Sequence, residues 1–209
     1  MTYSVYQNYQ KLNSMAQKNS VVLFGGSLDK SIPVTEIAQS FDLNFKIYNR
    51  SVENLSIRDA KTVYLHCVEP IAPEAVLFHI GENDLELFKK NTADFDKNYL
   101  DLIAAAKQCN SKIRIGIVSL ENSDSVKIVE DMNRHLKAIA DSEKYDFINL
   151  NKNTLWNPKA TKAVFSFISK MSIEERFNIK KPLADIADIL YSYVYSDNDL
   201  QDEELQKRA

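Results

Sequence analysis

Three short polar segments carry residue types that could do chemistry. The first is Phe24-Gly25-Gly26-Ser27-Leu28, which closes the apolar run Val21-Val22-Leu23-Phe24. Two glycines let the backbone turn sharply, and Ser27 then stands at a strand end with its hydroxyl exposed, as a nucleophilic serine on an α/β sheet requires. The plainer reading is a tight or phosphate-binding turn with a capping serine. No third glycine follows at the spacing of a dinucleotide fingerprint. The second segment is Asn49-Arg50-Ser51 and the third is Gly81-Glu82-Asn83-Asp84. An Asn amide and a backbone N–H beside a serine can hold the negative oxygen that develops in acyl transfer. Each loop is weak evidence alone; three of them in order, each at a strand end, support one another. Asp29, Glu82 and Asp84 could act as a weak base or a cation site. They form no convergent ligand set, so no metal and no cofactor is expected.

The elements that must position these loops follow from hydrophobic periodicity. Val5, Tyr6, Tyr9, Leu12 and Met15 predict an opening amphipathic helix. Strands are expected at 21–24, 45–48, 75–80, 113–119 and 146–150, and helices at 33–41, 57–67, 94–109 and 126–140. Strands alternating with helices imply an α/β chain, a five-stranded parallel sheet with helices on both faces. Ligands of such sheets bind beyond the carboxyl ends of the strands, where the three polar loops lie. Beyond Leu150, residues 158–168 and 183–195 have helical spacing. The second of these, with Leu183, Ile186, Ile189, Leu190, Tyr193 and Val194, is read as docking on the same subunit. Residues 1–195 are read as one domain. Residues 196–209 hold five acidic side chains and are read as a solvated, flexible tail.

Composition narrows the function classes. A chain of 209 residues with 44% hydrophobic and 26% charged residues is globular in balance, and by surface scaling it buries roughly 70% of its unfolded area. The net charge of −3 and the lack of a basic run argue against a nucleic-acid partner. No apolar stretch approaches a membrane span, and the tyrosine- and glutamine-rich start has no signal core, so a cytoplasmic protein is expected. Cys67 and Cys109 make no disulfide framework and are read as buried free thiols. Oligomeric state is left open.

From about Val21 to Val164 the chain resembles the SGNH (GDSL-type) hydrolases of esters and acyl groups. That family's first block, Gly-Asp-Ser, reads Gly25-Gly26-Ser27 here, keeping the serine without the aspartate. The glycine whose N–H donates to the oxyanion in the second block is Ser51 here. The third block, Gly-x-Asn-Asp, is matched in full by Gly81-Glu82-Asn83-Asp84. The resemblance implies a three-layer, flavodoxin-like fold. It makes Ser27 the nucleophile, Asn83 the side-chain oxyanion donor and Ser51 N–H a backbone donor, with Gly81 opening the third block. The ligand it implies is a small-molecule ester or an acyl or carbohydrate compound. The family's late Asp-x-x-His block falls on Asn153 and Trp156. Asn cannot balance an imidazolium by charge, and indole has no basic nitrogen. The expectation is therefore an impaired hydrolase.

Only His66, His79 and His135 could substitute. His135 is expected on a helix surface, His79 inside the third strand as a hydrogen-bonded core residue, and His66 near a helix end. Three readings stay open: a hydrolase with a rearranged base, a non-catalytic binding protein for an acyl or acetylated-sugar ligand, and a structural or partner-binding protein. A rearranged base would bring His66 or His79 within reach of Ser27. A binding protein would keep an open pocket, and a structural one would close it.

Overall fold

The computed structural model of the chain describes residues 3–41, 43, 45–121, 126–150 and 182–191. Five strands form the sheet: β1 (Val21–Gly25), β2 (Ile47–Asn49), β3 (Ala75–His79), β4 (Arg114–Val118) and β5 (Asp146–Ile148). Their order is β2-β1-β3-β4-β5, and every pair is parallel. The sheet is buried on both faces, which is why the central strands read as unbroken apolar runs rather than alternating ones.

Helices α1 (Tyr3–Asn13), α4 (Ile57–Cys67), α6 (Thr92–Cys109) and α7 (Val126–Glu143) cover one face. There Val22 and Phe24 of β1 and Phe78 of β3 meet Tyr64, Phe95 and Tyr99 in one fully buried cluster. The opposite face takes Val21, Leu23 and Leu77, packed under α3 (Val34–Ser40) and a last helix, α8 (residues 183–191). Leu183, Ile186 and Leu190 of α8 are completely buried, so this helix docks on its own sheet. Gly116 of β4 makes room for it: a Cβ there would stand 3.3 Å from the Leu183 Cβ and 2.8 Å from Ile148 Cδ1.

Short helices α2 (Ser27–Lys30) and α5 (Leu85–Lys90) were not expected from the sequence. β2 begins at Ile47, two residues later than the periodicity predicts. The opening helix ends at Asn13, and Leu12 and Met15 are exposed rather than packed. Cys67 is buried as expected. Cys109 is exposed, because it is the last residue of α6 and lies beyond the packed stripe. No helix among the described residues is long and apolar enough to cross a membrane.

Candidate active site

The parallel register brings β1 and β3 to the same edge, with Gly25 opposite His79. The loops leaving β1, β2 and β3 therefore meet there. α2 starts at Ser27, and its first turn is fixed from within: Asp29 Oδ2 accepts the Gly26 N–H at 2.9 Å, an acidic side chain satisfying a free donor at a helix start. The Ser27 hydroxyl is exposed, and its Oγ accepts the Asn54 N–H at 3.0 Å. Asn54 adopts a left-handed φ of 54° to aim that N–H, a conformation Asn tolerates better than most residues.

The Ser27 N–H donates to Glu82 Oε1 at 2.8 Å. Asn83 Nδ2 donates to the Leu55 carbonyl at 3.3 Å and reaches the same Glu82 oxygen at 3.4 Å. Ser27 and Asn83 are thus brought to one point, and a carboxylate oxygen sits on it. Gly81 opens this loop at φ +137°, where any side chain is strained. Asp84 turns the other way. It is buried and accepts from Ser56 Oγ at 2.7 Å and Ile57 N–H at 2.8 Å, closing the start of α4. Burial raises its carboxyl above the ordinary value despite those two bonds.

Ser51 is buried behind the turn. Its Oγ accepts the Gly25 N–H at 3.0 Å, and its own N–H donates to Asn49 Oδ1 at 3.0 Å. In this structure that N–H is spent inside the protein. Asn153 and Trp156, the expected triad positions, lie outside the described residues, as does the helix expected at 158–168.

The histidines are engaged elsewhere. His66 Nδ1 pairs with the Thr62 carbonyl and its ring lies against Tyr6. His135 pairs with Asp96 and packs on Phe88. His79 Nδ1 lies 2.9 and 3.0 Å from the two oxygens of Asp29, and the Tyr191 hydroxyl of α8 donates to the same carboxylate. Among the described residues no histidine hydrogen-bonds Ser27, and no three His, Cys, Asp or Glu side chains converge to hold a metal. The Asp29–His79–Tyr191 cluster and the position of Glu82 escaped sequence reasoning. Each joins residues fifty or more apart, and no local spacing signals them.

A cleft of about 490 Å³ lies on the α1 side of this loop, lined by Asn8, Tyr9, Lys30, Glu53, Asn54 and Asp59 among others. It shares Asn54 with the Ser27 site, and its walls mix apolar surface from Val5, Tyr9 and Val52 with the polar side chains of Lys30, Glu53, Asn54 and Asp59. Lys30 and Glu53 pair across it at 2.7 Å.

Neither a protein-family model nor a curated protein matches the chain by sequence. Solved structures do match. A GDSL-like lipase from Bacteroides thetaiotaomicron superposes with a TM-score of 0.56 at 17% identity, over 69% of this chain and 77% of the lipase. The acetyl xylan esterase AlAXEase gives 0.57 at 15% identity, over 85% and 96% of the two chains. A variant of an acetyl-xylooligosaccharide esterase from Geobacillus Stearmophilus gives 0.52 at 14%, over 85% and 94%. Identities this low carry the fold alone. The chain has the three-layer α/β fold of the SGNH (GDSL-type) hydrolases, as the resemblance of its motifs implied.

Proposed function

We propose that the Ser27 loop is an acyl-ester site of slow turnover, acting on a small ester or an acetylated carbohydrate. The observation that carries this reading is the convergence of the Ser27 N–H and the Asn83 amide on one oxygen beside an exposed serine hydroxyl. Donors so arranged suit the acyl oxygen of an ester, and Ser27 Oγ is the adjacent nucleophile. Turnover is slow because Asn153 and Trp156, at the triad positions, offer no basic nitrogen. Loss of triad members in serine proteases still leaves roughly 10³- to 10⁴-fold catalysis over water from binding and the oxyanion donors. That residue of activity is the level expected here.

The cleft beside Asn54, which sets Lys30, Glu53 and Asp59 next to the apolar faces of Tyr9 and Val52, favours a second reading in which the same loop binds an acylated sugar without cleaving it. Hydrolysis of p-nitrophenyl acetate by the wild type and by Ser27→Ala separates the two. Weak turnover that disappears in Ser27→Ala supports the ester site. Equal background rates retire it for simple esters and leave the binding reading.

A further inference from the structure

Gly26 poses a question its backbone does not answer. Its φ is −93°, a value open to any residue. The three atoms nearest to a Cβ added there all belong to one side chain: Glu82 Oε1 at 2.2 Å, Cδ at 2.7 Å and Cγ at 3.2 Å. The space a side chain would need at position 26 is taken by the end of Glu82.

That carboxylate does more than fill the space. Its Oε1 receives the Ser27 N–H at 2.8 Å, within the 2.7–3.1 Å range in which donors hold an oxyanion, and lies 3.4 Å from Asn83 Nδ2. It is an anionic oxygen on the two donors that the ester reading assigns to the ligand. Glu82 itself is only half-buried, so the side chain has solvent to move into.

We infer that Glu82 is a self-occupying gate on the Ser27 site: its carboxylate holds the acyl-oxygen position, and the absence of a side chain at Gly26 gives it the room to do so. The inference rests on the reading of Ser27 and Asn83 as the acyl-oxygen donors. A ligand enters by turning Glu82 out to solvent and taking over its hydrogen bonds. An ionised carboxylate ligand is opposed twice, by occupancy and by like charge, so small anions bind the resting site poorly.

The test is the Ser27 amide resonance in the full-length protein, titrated with sodium acetate. Glu82→Ala removes the carboxylate. Gly26→Ala keeps the charge and evicts the side chain, since the atoms closest to the new methyl are the flexible end of Glu82. Both variants are expected to shift the Ser27 amide proton upfield, and both are expected to bind acetate about 10- to 100-fold more tightly than the wild type, the factor carried by one charge-assisted hydrogen bond. An unmoved Ser27 resonance in Glu82→Ala overturns the gate, as does acetate affinity equal to the wild type. A gain in Glu82→Ala with none in a folded Gly26→Ala also overturns it, because charge alone then explains the gain. Should Gly26→Ala fail to fold, Glu82→Gln takes its place. The amide oxygen stays while the charge goes, so a gain smaller than that of Glu82→Ala supports occupancy and an equal gain overturns it. Acetate affinity needs no turnover. A protein inactive on esters that shows both gains loses the catalytic reading and keeps the gate.

Discussion

Asp29 and His79 form a buried pair across fifty residues of sequence, Nδ1 lying 2.9 Å from Oδ1 with side chains 0% and 3% exposed. Burial by itself would lower the histidine's affinity for a proton. Attraction to Asp29, the hydrogen bond to it and the charges of Glu82 and Glu121 outweigh that, and the imidazole is raised above its ordinary value of 6.5. A base held more strongly protonated in the folded state stabilises the fold in full below pH 6.5. That contribution is lost as pH rises through the folded value. The melting temperature of the wild type is therefore expected to fall on the alkaline side of pH 6.5. His79→Gln should be less stable at pH 6 and should lose this part of the slope. Coincident slopes for the two proteins would show that the pair does not titrate as described.

Asp29 is the hub of that cluster, because the Gly26 N–H, His79 and the Tyr191 hydroxyl all donate to its carboxylate. Removing it strands three buried donors, the His79 ring among them. Asp29→Ala is expected to cost about 3–5 kcal/mol in urea denaturation. Truncating the exposed partner in Lys30→Ala, whose ion pair with Glu53 is open to solvent, should cost less than about 1 kcal/mol. Similar losses in the two would contradict the buried account.

Tyr191 carries the same cluster to α8. Its hydroxyl reaches the Asp29 carboxylate and its ring stands edge-on to His79, with centroids 5.3 Å apart at 84°. Tyr191→Phe keeps the apolar packing and deletes one hydrogen bond to a charged acceptor, worth about 1.5–3 kcal/mol. Amide exchange should quicken through residues 183–191 and at Gly26 together, since both ends of the bond are released. Unchanged exchange through residues 183–191 would mean that the helix is held by its apolar face alone, and faster exchange confined to α8 would uncouple it from Gly26.

Much of the fold was legible because it is local. Helix α4 spans Ile57–Cys67 as its apolar spacing predicts, and Ser56 caps it by accepting the Arg58 N–H. The unbroken apolar runs at residues 21–24 of β1 and 75–78 of β3 mark interior strands. What escaped notice depends on distant partners. α2 is four residues long, far too short to be stable by propensity, and its first turn is tied down by a carboxylate that pairs with β3 and α8. Leu12 and Met15 continue a helical spacing, but the helix ends at Asn13, whose side chain turns to donate to the Cys67 carbonyl and accept from Arg50. In the site, Ser27 and Asn83 could be named from their loops. Glu82 reads as the variable letter of a motif, and only its distance to Gly26 gives it meaning.

The last two letters of Gly81-Glu82-Asn83-Asp84 part company in the structure, and mutation should separate them. Asn83 is exposed, with long bonds of 3.3 and 3.4 Å to Leu55 and Glu82. Asp84 is buried and accepts two bonds of 2.7 and 2.8 Å at the start of α4. Its Oδ2 takes the Ile57 N–H, one of the donors a helix start leaves without an internal partner. Asp84→Ala leaves that N–H unsatisfied in the core and exposes α4 to fraying, for about 1–3 kcal/mol. Asn83→Ala forfeits only weak surface bonds, so its urea midpoint should stay within about 0.5 kcal/mol of the wild type. Its effect should fall on the site, as a loss of ester turnover or of acetate affinity in the Glu82→Ala background. A stability loss in Asn83→Ala as large as that in Asp84→Ala would assign Asn83 to the scaffold and remove it from the acyl-oxygen position.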